Sequence, residues 1–368
     1  MKKLSEYSIN DNNFNLLRVI FASLVIYSHS YVLSLGVGYG KDPIEQMIGL
    51  SLGALSVNAF FVVSGFLVTK SLLIRKNLFK YFLARFFRIY PGLFFAVLFS
   101  VFIVGVIFTR SSLFYYFTHK GATLHYIWHN ITLTGDLKFG LPGVFLKNPL
   151  PRSLIIPIWT LPWEIKMYIS LALFGVLGIM KKPFFMLVMT VIFTVVFFAN
   201  DAFSLFHGRY IHDLLQFLTF FYLGSCFYLF RDNIILGTRF FLLSIILVVF
   251  SFKFFWFKYL FYLFSVYWVF FLAYVPSGKI IRGYNKFGDY SYGLYIYGFM
   301  IQQSIVAIYT GVTPIKLFVL AFGVTLIIAV LSWHNIESRF LRLKNISIPS
   351  KISVKLNNLR VFKLFEAQ

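Results

Sequence analysis

Stretches of about 20 consecutive apolar residues, long enough to cross a hydrocarbon core, recur along this chain from one end to the other. Nothing else in the sequence constrains the fold as strongly. With no water inside a bilayer, a spanning segment must satisfy its own backbone, which a helix does and an open strand does not. Composition agrees: hydrophobic residues make up 59% of the 368 positions and charged ones 12%, about half the charged share of an ordinary soluble chain. The expected fold is therefore all-α, a polytopic integral membrane protein of about ten transmembrane helices. The spans are expected near 14–36, 50–73, 91–109, 157–180, 183–199, 211–230, 239–252, 257–275, 290–309 and 315–335. Two further segments read as interfacial: 77–90, which is basic and aromatic, and 113–134, which carries three histidines. Residues 1–345 read as one membrane domain and 346–368 as a basic cytoplasmic tail. The N-terminus has no short apolar region ending in a small-residue cleavage site, so the first span is expected to be retained.

The formal charge is +22, from 34 Lys and Arg against 12 Asp and Glu. In a soluble protein that balance would point to nucleic acid. Here the cations lie mainly in short loops between apolar runs, where they report topology. Placing the N-terminus inside puts 22 of the 34 on the cytoplasmic side and 10 outside, with Arg18 and Lys166 inside spans. Both termini are then cytoplasmic, and no nucleic-acid partner is expected. The longest external connection, roughly 110–156, is of the kind that usually carries function. The lone cysteine, Cys226, lies in an apolar run and allows no intrachain disulfide.

Ionisable groups inside spans are costly and mark functional positions. Arg18 and His29 are eleven residues apart on the first span, which returns them to nearly the same helix face with a rise of roughly 16 Å. Mid-membrane, a neutral imidazole can accept a proton from an attacking hydroxyl; alternatively His29 bonds a neighbouring helix and Arg18 snorkels. Arg85 and Arg88 share a face just ahead of Pro91, where a new span is expected to begin. Their guanidinium fork suits phosphates, although a basic amphipathic segment on anionic lipid has the same pattern. Trp159, Trp163 and Glu164 enter the fourth span together, a carboxylate with an aromatic surround suited to sugar contact. Pairing of Glu164 with Lys166 or Arg152 is the plainer alternative. His125 and His129, at i and i+4, make at most half of a metal site, and no metal is expected. Asp289 reads as the N-terminal cap of the ninth span.

Taken in order, Arg18-x10-His29, Ser56-Val-Asn-Ala-Phe-Phe-Val-Val-Ser-Gly-Phe-Leu67 and Arg85-x-x-Arg88-Ile-Tyr-Pro91 resemble the opening of the membrane acyltransferase-3 family. The resemblance continues through Trp159-Thr-Leu-Pro-Trp-Glu164, Ser291-Tyr-Gly-Leu-Tyr-Ile-Tyr297 and Ser332-Trp-His-Asn-Ile-Glu337. Met300 departs from it, standing where relatives often carry proline. The resemblance implies a ten-helix enzyme of the bacterial inner membrane. It would take an acyl group, usually acetyl, from cytoplasmic acyl-CoA and pass it to a hydroxyl of a surface polysaccharide, such as O-antigen, or of its lipid-linked precursor. It further implies that His29 and Arg18 are the catalytic pair, that Arg85 and Arg88 serve the acyl donor, and that Glu164 is the acidic position of the fourth-span motif. Trp159 and Trp163 would contact the acceptor. Acetyl-CoA enters as donor substrate, and no permanently bound cofactor is expected. The rival reading is a transporter or flippase of a glycan or lipid-linked precursor, which would need no acyl-CoA.

Overall fold

The computed structural model describes residues 2–8, 11–75 and 77–343; the expected tail at 346–368 lies outside the described residues. Helices occupy each of the ten stretches in which a span is expected. They are α1 (Phe14–Leu35), α2 (Leu52–Arg75), α3 (Leu78–Phe99), α4 (Leu161–Val176), α5 (Pro183–Phe203), α6 (Arg209–Leu229), α7 (Thr238–Phe250), α8 (Phe257–Tyr274), α9 (Ser291–Ile308) and α10 (Pro314–Ser332). Among the described residues, six continuous helices are long and apolar enough to cross a membrane: Phe14–Leu35, Leu52–Arg75, Leu78–Phe108, Pro183–Phe203, Phe257–Tyr274 and Pro314–Leu343. Sheet is confined to Lys2–Lys3 paired antiparallel with Ile235–Leu236.

One expected boundary moves. Segment 77–90 is not a separate interfacial piece, and Pro91 does not start a span. Asn77 caps α3 by accepting from the Lys80 amide at 2.9 Å, and the helix runs through Pro91 and on through a π-helical turn, Ser100–Gly105, to Phe108. Proline fits helical φ and loses one backbone bond, a defect that apolar spans tolerate when neighbouring helices compensate. The cap and the unbroken apolar run decide the start. The other end of the chain behaves similarly, with α10 continuing through a π turn at Trp333–Glu337 into Ser338–Leu343.

The bundle is organised on α1 and α2. α2 packs most extensively on α6, while α1 lies among α2, α9 and α10. Small residues make the α2–α6 approach possible. A Cβ placed on Gly65 would stand 1.8 Å from the Phe221 carbonyl oxygen, and one on Gly224 would stand 2.0 Å from that of Val62. One turn further along, Phe61 and Phe217 stack at 4.2 Å between ring centroids. Gly65→Ala is therefore expected to cost about 1–3 kcal/mol, because backbone rather than a movable side chain must give way. Thermal unfolding in detergent reads the effect, and a wild-type midpoint would show that the helices separate without penalty.

Candidate functional site

Where α1, α2, α3, α4 and α9 converge, at the N-terminal end of α1, they enclose a cavity of about 360 Å³. Arg18, Arg85, Arg88 and Glu164 all line it, joined by Asn15, Ser64, Tyr168, Asp289 and Tyr292. Four of the seven residues singled out from sequence are thus brought to one chamber from three helices.

Its charge is organised around Asp289. This carboxylate is 4% exposed and sits in the turn ahead of α9. Its Oδ2 takes Nη2 of Arg88 at 2.6 Å and Nη2 of Arg18 at 3.1 Å. Its Oδ1 accepts from the Ser291 hydroxyl at 2.5 Å. Asp289 is therefore more than a helix cap: it is the shared counter-ion of two arginines that come from α1 and α3. Arg18 also donates to Asn15 Oδ1 at 2.6 Å, and Arg88 lies over the Tyr292 ring at 5.8 Å. Tyr292 in turn donates to the Ile89 carbonyl at 2.7 Å. That contact needs Gly92, since a Cβ there would meet the Tyr292 ring at 2.6 Å.

Arg85 is held differently. Its guanidinium faces the Tyr168 ring at 5.7 Å and reaches Ser71 Oγ at 3.5 Å, and among the described residues it has no carboxylate partner. Nε of Arg85 and Nε of Arg18 are both buried without an acceptor among the described residues. Buried N–H groups of this kind are costly unless a ligand meets them. Glu164 accepts from the Tyr168 hydroxyl, which also lies 3.3 Å from Ser64 Oγ. Lys166 turns away from it, with Nζ 4.0 Å from the Trp163 ring centroid and 4.7 Å from that of Tyr210.

Three of the seven lie elsewhere. His29 is further along α1, half-buried and edge-on to Phe299 of α9 at 5.3 Å, and it does not line the arginine cavity. Trp163 is buried against Tyr210 and Phe217. Trp159 packs on Phe217, with Arg209 over its ring at 5.2 Å. Both tryptophans thus face α6 instead of the chamber. His125 and His129 stack at 6.1 Å, and His129 Nδ1 lies 2.9 Å from the Thr134 carbonyl.

Sequence reasoning missed Asp289 as a charge partner, and Tyr168 altogether. A signal for Asp289 existed: two buried arginines require a carboxylate, and Asp289 stands immediately ahead of an apolar span. Tyr168 stands four residues after Glu164, on the same helix face.

Comparison with known proteins places this architecture. No solved structure matches the chain significantly. An O-acetyl transferase of Shigella phage Sf6 is 25% identical over 345 residues, covering 90% of this chain and 96% of that protein. Nodulation protein 10 of Rhizobium leguminosarum bv. viciae is 40% identical over a shorter stretch of 86 residues, 23% of this chain and 22% of its own. The family profile of the acyltransferase domain, type 3, matches residues 11–334 and so takes in α1, α2, α3, α4 and α9, which converge on the cavity. The chain belongs to the membrane acyltransferase-3 family.

Proposed function

We propose that the protein moves an acyl group, acetyl by preference, from cytoplasmic acyl-CoA to a hydroxyl of a surface polysaccharide or its lipid-linked precursor. It would do so in a bacterial inner membrane, crossing it ten times with both termini cytoplasmic. The reading rests on the arginine chamber: three guanidiniums line one cavity, and two of them carry buried N–H groups without an acceptor among the described residues. Guanidinium geometry matches phosphate, and the diphosphate of coenzyme A is a phosphate source that the family's acyl chemistry requires. The O-acetyl transferase that matches over nearly its whole length supports acetyl as the group carried.

In this reading Arg85 takes the donor phosphates, while Asp289 holds Arg88 and Arg18 at the rim of the same chamber. The acyl arm extends along α1 toward His29, roughly 16 Å from Arg18 at a rise of about 1.5 Å per residue. His29 removes the proton from the acceptor hydroxyl as its oxygen attacks the thioester carbonyl. The C–S bond then breaks, and the proton leaves on the coenzyme A thiol. Glu164, tied to Tyr168, which in turn reaches Ser64, borders the chamber from α4 beside the arm's path.

Arg85→Gln is expected to weaken acetyl-CoA binding on the order of tenfold, the size of one lost charge-assisted contact. Folding should be retained, because no carboxylate is orphaned. Calorimetric titration of the purified protein in nanodiscs reads this directly. Unchanged donor affinity would remove Arg85 from the donor site. Wild-type protein that is folded yet binds no acyl-CoA would bring the flippase reading forward.

A further inference from the structure

A second cavity, of about 420 Å³, opens at the opposite end of α1, a size typical of small-ligand sites. Its lining includes Ser34 at the end of α1, Arg110, Lys147, Asn148, and Val306 and Val312 beside the end of α9. Among the described residues it is lined by two cations and no carboxylate. The basic pair is placed by a built loop. The Arg110 amide donates to the Gly143 carbonyl at 3.1 Å, next to the Thr109–Val144 bridge. On the other side Asn148 donates to the backbone carbonyl and the side chain of Gln303, at 2.9 and 2.6 Å. Gln303 is itself fully buried and donates to the Leu150 and Ser153 carbonyls at 2.8 Å each. The loop is thereby pinned to α9, and Arg110 and Lys147 both line the cavity. Ser34 Oγ, at the cavity wall, is buried with no partner among the described residues.

The position of this cavity relative to His29 gives it meaning. Ser34 is five residues beyond His29 on α1, about 7.5 Å at 1.5 Å per residue. Phe299, the ring against which His29 rests, belongs to a small apolar cluster with Val306 and Val312, which line the cavity. His29 therefore stands between two chambers, the arginine cavity on one side and this basic, carboxylate-free one on the other.

We propose that the second cavity seats the glycan acceptor, and that the acceptor is anionic, with a carboxylate or phosphate against Arg110 and Lys147 and a hydroxyl directed inward to His29. This rests on the acyl-transfer reading and replaces an acceptor path along Trp159 and Trp163, both of which are committed to α6. An anionic acceptor meets complementary charge at Arg110 and Lys147, which an uncharged one would not use. The acceptor hydroxyl gains the acyl group and its proton goes to the departing thiol, as above, so the site adds selection and no new chemistry.

The test uses the full chain in nanodiscs of zwitterionic lipid and saturation-transfer NMR with three probes: glucuronic acid, glucose 1-phosphate and glucose. Saturation of at least one charged sugar above glucose is expected, falling on the order of tenfold in affinity in Arg110→Gln/Lys147→Gln, since two exposed charge contacts supply roughly threefold each. Glucuronic acid alone would identify a carboxylate, and glucose 1-phosphate alone a phosphate. Both replaced side chains are exposed, so the variant is expected to fold. Glucose saturating as strongly as the charged sugars, or a double variant that binds them unchanged, overturns the proposal. A second arm follows labelled acetyl into glycans retained on an anion-exchange column, where the double variant should raise the acceptor KM and leave kcat and acetyl-CoA binding alone. Label entering neutral glycans equally would sink the acceptor site and leave the transferase reading intact. Charged sugars bound without any acetyl transfer would sink the transferase reading, leaving an anion site.

Discussion

Replacing His29 with alanine should abolish acyl transfer and leave acetyl-CoA binding at the wild-type level. The separation follows from where the residues lie. The donor's phosphates are assigned to the chamber lined by Arg18, Arg85 and Arg88, and His29 is outside that lining, against Phe299. A positioned general base contributes about 10²- to 10⁴-fold, so the loss should be of that order in kcat. Purified protein with labelled acetyl-CoA and a glycan extract from cells lacking the gene gives the rate, and calorimetry gives the donor affinity. His29→Gln separates chemistry from packing, because glutamine keeps bulk beside Phe299 but cannot serve as the base. Transfer surviving in both variants would remove His29 from the reaction. Donor binding lost along with transfer would make its role structural.

How much of this was legible beforehand can be traced residue by residue. Helices were legible in each of the ten expected stretches because hydrophobicity averages over a whole apolar run, and among the described residues six continuous helices have the length and apolarity that bilayer thickness demands. The start of α3 was not legible. Pro91 and the flanking cations read as a boundary, but Asn77 caps the helix fourteen residues earlier and the apolar face runs through the proline. Arg18 and Glu164 stood out because charge in an apolar segment is costly wherever it is placed, and Arg85 and Arg88 because an i, i+3 pair shares one helix face. Asp289 did not stand out as their partner, because it is 201 residues from Arg88 in sequence and no spacing rule reaches that far. The tryptophans illustrate a different failure. Trp159 and Trp163 are four apart and Lys166 follows three later, so helical geometry puts all three on one face. Glu164, a single residue past Trp163, is turned by about 100°, and Tyr168 lies on its face. Proximity in sequence suggested one sugar platform; the helix instead sends the indoles to α6 and the carboxylate to the cavity.

Asp289→Asn is expected to cost about 3–5 kcal/mol of stability, the range for removing one partner of a buried ion pair. Arg88 and Arg18 converge on the same oxygen, at 2.6 and 3.1 Å, with side chains only 21% and 20% exposed. An amide of identical shape keeps the packing and the Ser291 hydroxyl within reach but leaves two guanidiniums facing each other across a neutral group. Arg18 retains Asn15 and Arg88 retains the face of Tyr292, and neither of these carries a negative charge. The penalty is therefore repulsion added to the loss of the shared counter-ion, and it should show as a large fall in the melting midpoint in detergent. A compensating variant isolates the cause: Asp289→Asn combined with Arg88→Met removes the repulsion while keeping an unbranched side chain over Tyr292. It should recover most of the stability without recovering transfer, because an arginine assigned to the donor chamber is gone. Asp289→Asn melting with the wild type would mean that the arginines find other counter-charges, and the chamber would then not be organised on this residue. Full stability in the double variant together with full activity would place Arg88 outside donor binding, and Arg85 would be left as the arginine that takes the phosphates.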